Sequence, residues 1–214
     1  MSDDNKGNPP RRRTSVLLNP IQLFCLLVAV LLAGTGLVPL EHVGFVLFSA
    51  IYMYFLSRFS FPAGNTPTES VFDRNNKILA NYVLTGGVVG LFLPVAYILH
   101  ALLLLLPDGG HEAVRAAAPH LFLLSSQVFM EGVSFAGGFS IPVRAFIPVF
   151  YNSRRIFSIW GWIQFEFAKV EGLVIVGRML AAANLGFWVY NLFGFLLPVY
   201  LPRAFRKYYC SSSA

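Results

Sequence analysis

Charge is what this chain has least of. Only 12% of its 214 residues are Asp, Glu, Lys or Arg, about half the share of a typical soluble domain. A water-soluble globular domain is thereby excluded. Cysteine is almost missing as well: Cys25 and Cys210 are too few and too far apart for a disulfide framework. Catalytic patterning is also lacking. His42, His100, His111 and His120 are dispersed, no H-E-x-x-H helix occurs, and Ser, His and Asp form no recognisable nucleophile motif. Neither an enzyme nor a cofactor is expected. His111 and Glu112 near Asp108 read as a solvated loop rather than a metal site, and no N-x-S/T sequon occurs anywhere.

What is present is apolar. Hydrophobic residues make up 56% of the chain and aromatics 15%, gathered in long blocks rather than alternating. The expected fold class is all-α: a multi-pass transmembrane helical bundle. Four blocks read as spans, at residues 20–38, 41–58, 78–106 and 118–139. The first two are joined by the tight PLEH linker into a helical hairpin. The third is longer than a perpendicular span needs, which predicts tilt or a kink at Pro94. A fifth block, 172–201, holds Arg178, Asn184, Asn191 and Pro198; it either crosses or turns back as a re-entrant hairpin. Residues 144–170 carry Arg154 and Arg155 in mid-segment among Trp160, Trp162, Phe165 and Phe167. That mixture predicts an amphipathic helix lying at the cytoplasmic interface. Residues 1–19 read as a disordered basic cytosolic tail and 202–214 as a basic carboxyl tail flanking a membrane domain over 20–201.

Orientation follows from the cations, because positive loops stay cytosolic. Arg11, Arg12 and Arg13 precede the first block, which has no cleavage site after it and reads as an uncleaved anchor. Arg58, Arg74 and Lys77 occupy the second cytosolic loop, and Arg144, Arg154, Arg155, Lys169 and Arg178 the region after the fourth block. The amino terminus is thus expected in the cytosol. The tail cations Arg203, Arg206 and Lys207 fit this scheme only if the fifth block turns back; a complete crossing breaks the rule. The net charge of +6 is distributed in small groups flanking apolar blocks, so the expected partner is the bilayer, with anionic lipids and other membrane proteins, and not nucleic acid.

One acid sits inside an apolar block. Glu131 follows Gln127 by one helical turn in LLSSQVFMEGVSFAGG. If the fourth block ends near Ser140, Glu131 lies about 13 Å below the cytoplasmic boundary, and Arg178 lies at about 9 Å if its block begins there. Those depths predict an ion pair of Glu131 with Arg178, Gln127 sharing the face; a proton or ion relay is the rival reading. Gly86 with Gly90, and Gly132 with Ala136, have the small-xxx-small spacing that lets helices approach closely, inside one chain or across a homo-oligomer seam. Cys210 beside the basic, aromatic ending is a candidate for S-palmitoylation, and Ser15 in RRRTS for phosphorylation.

The chain resembles an uncharacterised family of land-plant multi-pass membrane proteins of unknown function over most of its length. The hairpin at 20–58, the stretch GFSIPVRAFIPVFYNSRR and the ending LLPVYLPRAFRKYY are similar, more distantly, to endoplasmic-reticulum and nuclear-envelope proteins of the pore-membrane type. That resemblance implies a role in shaping membrane and carries over no functional residue. The expected function is a non-enzymatic integral membrane protein of the endomembrane system, organising membrane or scaffolding partner proteins. The alternative is a small transporter or channel subunit using Glu131 and Arg178.

Overall fold

A computed structural model describes residues 18–63, 71–72, 77–104, 110–169 and 174–212. The tail with Arg11, Arg12, Arg13 and Ser15, and the loop positions Arg74 and Asp108, lie outside the described residues. Among those described there is no strand. The helices are α1 (Pro20–Gly34), α2 (Leu40–Phe55, continued by a π-helical turn Leu56–Ser60), α3 (Lys77–Gly87), a π-helical turn Val88–Phe92, α4 (Leu93–Leu104), α5 (Gly110–Ala136), α6 (Ile141–Ala168), α7 (Val174–Tyr190), a π-helical stretch Asn191–Tyr200 and α8 (Leu201–Ser212).

Local chemistry sets these boundaries. Asn19 caps α1: its Oδ1 accepts from the Ile21 N–H at 3.3 Å while the Gln22 Oε1 reaches back to the Asn19 N–H at 2.9 Å, with Pro20 opening the helix. Gly138, at φ 63°, stops α5 as a Schellman turn, with Phe139 N–H donating to Ser134 O at 3.0 Å and Gly138 N–H to Phe135 O at 3.2 Å. The chain then reverses into α6 behind Ser140, whose hydroxyl donates to Phe61 O at 2.8 Å.

Successive runs are antiparallel, as their contacts show. Gly132 of α5 meets Gln22 at the start of α1. Ser49 of α2 donates to Tyr151 of α6 at 2.9 Å, and farther along α2 Phe61 packs on Phe146. Tyr82 of α3 donates to Asn191 at 2.7 Å, whereas Val89 meets Asn184. Asn152 of α6 bonds Trp188, and Ala145 packs on Ala204 of α8. The centre of the bundle is α5 and α6, which contribute most of its fully buried side chains.

Several expectations are corrected here. Three helical runs are long and apolar enough to span a membrane, Leu40–Ser60, Lys77–Leu103 and Ile175–Cys210, rather than four confident spans and a fifth. The expected span at 20–38 is the 15-residue α1, about 22 Å long against a hydrocarbon core of about 30 Å. The expected span at 118–139 is part of a helix that starts at Gly110 and is enclosed by its neighbours. Enclosure removes the need for an apolar surface, which is why Ser125, Ser126 and Gln127 are buried there at no cost to lipid contact. The segment 144–170, expected as an interfacial helix, is packed into the bundle. As α6 it runs 28 residues, about 42 Å, through the bundle with Arg144, Arg155, Trp162 and Glu166 buried. Nor does 172–201 turn back: it lies in one helical run from Ile175 to Cys210. Pro198 is absorbed by widening to π register over Asn191–Tyr200, which relieves the clash a proline makes in an α-helix.

Because α6 runs the length of the bundle, α8 returns to the end from which α1 starts. That end holds Arg58, Lys77, Arg144, Arg203, Arg206 and Lys207; Lys169 and Arg178 lie at the other. The tail cations thus share an end of the bundle with Arg58 and Arg144, while Lys169 and Arg178 of the expected cytosolic group do not.

Candidate functional site: a polar seam along α6

The kink expected at Pro94 takes a specific form. Proline has no N–H, so the carbonyl of Gly90 loses its α-helical partner and that of Val89 loses its π-helical one. The turn just before Pro94 is π-helical, and both carbonyls are taken by side chains from other helices. His120 Nε2 lies 3.0 Å from Gly90 O, and Asn184 Nδ2 donates to Val89 O at 3.0 Å. Asn184 Oδ1 also accepts from Trp188 Nε1 at 3.3 Å. Beside the change of register at Asn191, Asn152 Nδ2 donates to Trp188 O at 3.0 Å. These buried polar residues close a hydrogen-bond account that the prolines and π turns had opened.

Glu131 belongs to a different group from the one expected. Its Oε1 accepts from Gln127 Nε2 at 2.8 Å, and Gln127 Oε1 in turn accepts from Arg155 Nη2. The Arg155 guanidinium is fully buried, 4.1 Å over the Trp188 ring. Arg178 is elsewhere: it donates to the carbonyls of Glu166, Phe167 and Lys169 at 3.0, 3.3 and 2.8 Å. Those acceptors lie in the last turn of α6 and just beyond it, where helical carbonyls lack internal partners. The Glu131–Arg178 pair is therefore corrected to Gln127 and Glu131 with Arg155. The depth estimate failed because it began the last block at the same membrane face where α5 ends.

A second acid, missed in the sequence, lies along the same helix. Glu166 is fully buried; its Oε1 accepts from Tyr97 OH and, at 3.2 Å, from Trp162 Nε1. Lys169 Nζ is 3.6 Å from that oxygen and donates to Tyr97 OH at 3.4 Å. The other oxygen lies against Gly177, where any Cβ would collide with it. The available signal was Glu166 at i+4 from Trp162 and i−3 from Lys169, a pattern of inward partners that the aromatic surroundings disguised as an interface.

The remaining residues divide. Arg154, next to Arg155 but on another face, pairs with Glu41 at 2.8 Å. Trp160 is exposed and Trp162 buried, so the expected anchors do not act as one group. Gly86 and Gly90 do not meet small residues: they receive the rings of Phe187 and Trp188. Gly132 accommodates Gln22, and Ala136 is half-buried at the end of α5. Arg203, Arg206, Lys207 and the free thiol of Cys210 share one face of α8. No three His, Cys, Asp or Glu residues are grouped to hold a metal among the described residues.

A family described as a domain of unknown function, DUF7733, matches residues 17–209. The chain belongs to that family. No curated protein and no solved structure matches it. The DUF7733 match covers every described helix almost completely, so the polar seam and the α8 face both fall within the family region; the resemblance to pore-membrane proteins gains no support from it.

Proposed function

We propose that this DUF7733 protein is a non-enzymatic integral membrane protein of the endomembrane system, with both termini cytosolic, that organises or shapes membrane or holds partner proteins there. The observation that carries the reading is the unequal height of the α1–α2 hairpin. Its base is tied to Ser140 at the start of α6, and its tip is tied through Glu41 to Arg154. Residues 155–168 of α6, about 21 Å of helix, lie beyond that tie. A hairpin lying beside only part of the bundle, with Leu40 at its tip 87% exposed, occupies more of the leaflet on the basic end than of the other. Such asymmetry favours curvature. The reading is tested by reconstituting the full chain into liposomes: tubulation or shrinkage at high protein density is expected, and vesicles of unchanged shape would overturn it.

A small transporter or channel subunit is the second reading, favoured by Glu131, Arg155 and Glu166 within one seam. It now centres on Arg155 instead of Arg178. Ion or proton flux into liposomes that Glu131→Gln abolishes supports it; absence of flux removes it.

A further inference from the structure

Buried polar atoms gather in the middle of the seam with no hydrogen-bond partner among the described residues: Arg155 Nε and Nη1, Asn152 Oδ1, Ser158 Oγ and His120 Nδ1. They belong together. Asn152, Arg155 and Ser158 stand at i−3, i and i+3, with Trp162 one turn farther on, so they share one face of α6. Across from that face runs α5, antiparallel, with Gln127 opposite Arg155 and the His120 ring stacked on Trp162 at 6.1 Å. Ser158 lies between those two levels, about 4.5 Å along α6 from Arg155 and about 6 Å from Trp162. Trp188 of α7 closes the side. Its ring is 4.1 Å from the guanidinium carbon of Arg155 and 6.4 Å from the His120 ring, and its carbonyl accepts from Asn152 Nδ2.

Buried polar groups in folded proteins nearly always find a partner, and a bilayer supplies no bulk water to provide one. Both kinds of orphan occur here. Arg155 offers N–H donors. Asn152 Oδ1 is an acceptor, since its amide nitrogen is the atom that donates to Trp188 O at 3.0 Å. His120 Nε2 must carry a hydrogen to reach Gly90 O at 3.0 Å, which leaves Nδ1 as the acceptor of a neutral ring. Ser158 Oγ serves either way. A cation would be repelled by Arg155, and an anion would find no donor in Asn152 Oδ1 or His120 Nδ1. Water answers both, and an internal water typically makes about three such bonds. It would also solvate the guanidinium, with which no carboxylate pairs directly among the described residues.

We propose that a short chain of ordered water fills the seam between Arg155 and His120, bonded by Arg155 Nε and Nη1, Asn152 Oδ1, Ser158 Oγ and His120 Nδ1. The inference goes beyond both readings above, and neither vesicle shape nor ion flux decides it.

The test is X-ray radiolytic labelling of the full chain in nanodiscs, read by mass spectrometry. A bound water split by the pulse oxidises the side chains beside it. Trp162 and Trp188, though buried, are therefore expected to gain oxygen at least about fivefold faster than Met53, which is equally buried and oxidisable but lies on α2. Ser158→Val removes the hydroxyl and is expected to lower labelling of Trp188 about fivefold. Ser158→Thr, of the same shape with the hydroxyl kept, is expected to preserve it. Should Ser158→Val misfold, the comparison with Met53 in the unaltered chain decides. Labelling of Trp162 and Trp188 no faster than that of Met53 overturns the proposal, as does an equal loss in the valine and threonine variants.

Discussion

If Asn184 and His120 are present to satisfy carbonyls released by Pro94, their value must depend on that proline. Asn184→Leu leaves Val89 O and Trp188 Nε1 without the partners they have now. A buried group so orphaned costs about 1–3 kcal/mol. Interhelical bonds within membrane proteins are weaker, averaging about 0.6 kcal/mol, because the unfolded state in lipid also finds partners. A loss of about 2–4 kcal/mol is expected for the single change. Pro94→Ala restores an N–H at residue 94, which can return to Gly90 O in α register or to Val89 O in π register. In that background Asn184→Leu is expected to cost about 1 kcal/mol less. Unfolding of the four variants by SDS in mixed micelles, followed by tryptophan fluorescence and circular dichroism, measures the cycle. Additivity within about 0.5 kcal/mol would refute the idea that the proline creates the demand Asn184 fills.

Other consequences follow from the same contacts. Arg155→Ala removes the buried cation beside Gln127 and is expected to destabilise by about 3–5 kcal/mol; in an Glu131→Gln background the penalty shrinks, and an unchanged penalty in the same SDS titration would argue against their coupling. Gly177→Ala places a methyl on the Glu166 carboxylate and is expected to cost about 1–3 kcal/mol, most of it recovered by Glu166→Ala if that contact is the cause. Arg178→Leu uncaps α6, so faster amide exchange is expected around its last turn than at its centre, and uniform exchange along the helix would contradict the capping role. Tags at the two termini are expected to be digested together by protease outside sealed microsomes; protection of one alone would break the back-and-forth count of helices.

The helical class and most element positions were legible because long apolar blocks leave few alternatives in lipid. Pro94 was readable as a disturbance, and Gln127 with Glu131 as a facing pair, because both follow from i, i+4 geometry alone. What escaped was partnership across helices. Arg154 and Arg155 looked like a pair that no membrane interior would accept; neighbours on one helix are about 100° apart, and one goes to Glu41 while the other goes inward to Gln127. Counting their charges together pushed α6 out of the bundle, and that one step inverted the run of the next helix. The wrong partner for Glu131 descends from it. Glu166 was lost by the same reasoning, since an acid on a supposed interface needs no partner.

The polar groups of the seam fall into two kinds with different implications. His120, Asn152, Asn184 and Arg178 each bind a backbone carbonyl, and for Gly90, Val89 and the end of α6 the need arises from a proline or a helix end. Such a residue is fully accounted for by folding, so its presence in an apolar block is no argument for transport. Glu131 and Glu166 differ, because no backbone group requires either acid. Each instead draws in a cation, Arg155 through Gln127 and Lys169 directly. Those two acids, and not the asparagines, are where a choice between a scaffold and a conduit has to be made. A scaffold tolerates Glu131→Gln and Glu166→Gln with folding intact, because the neutral amide can still accept from Gln127 or from Tyr97 and Trp162; a conduit loses its flux at either.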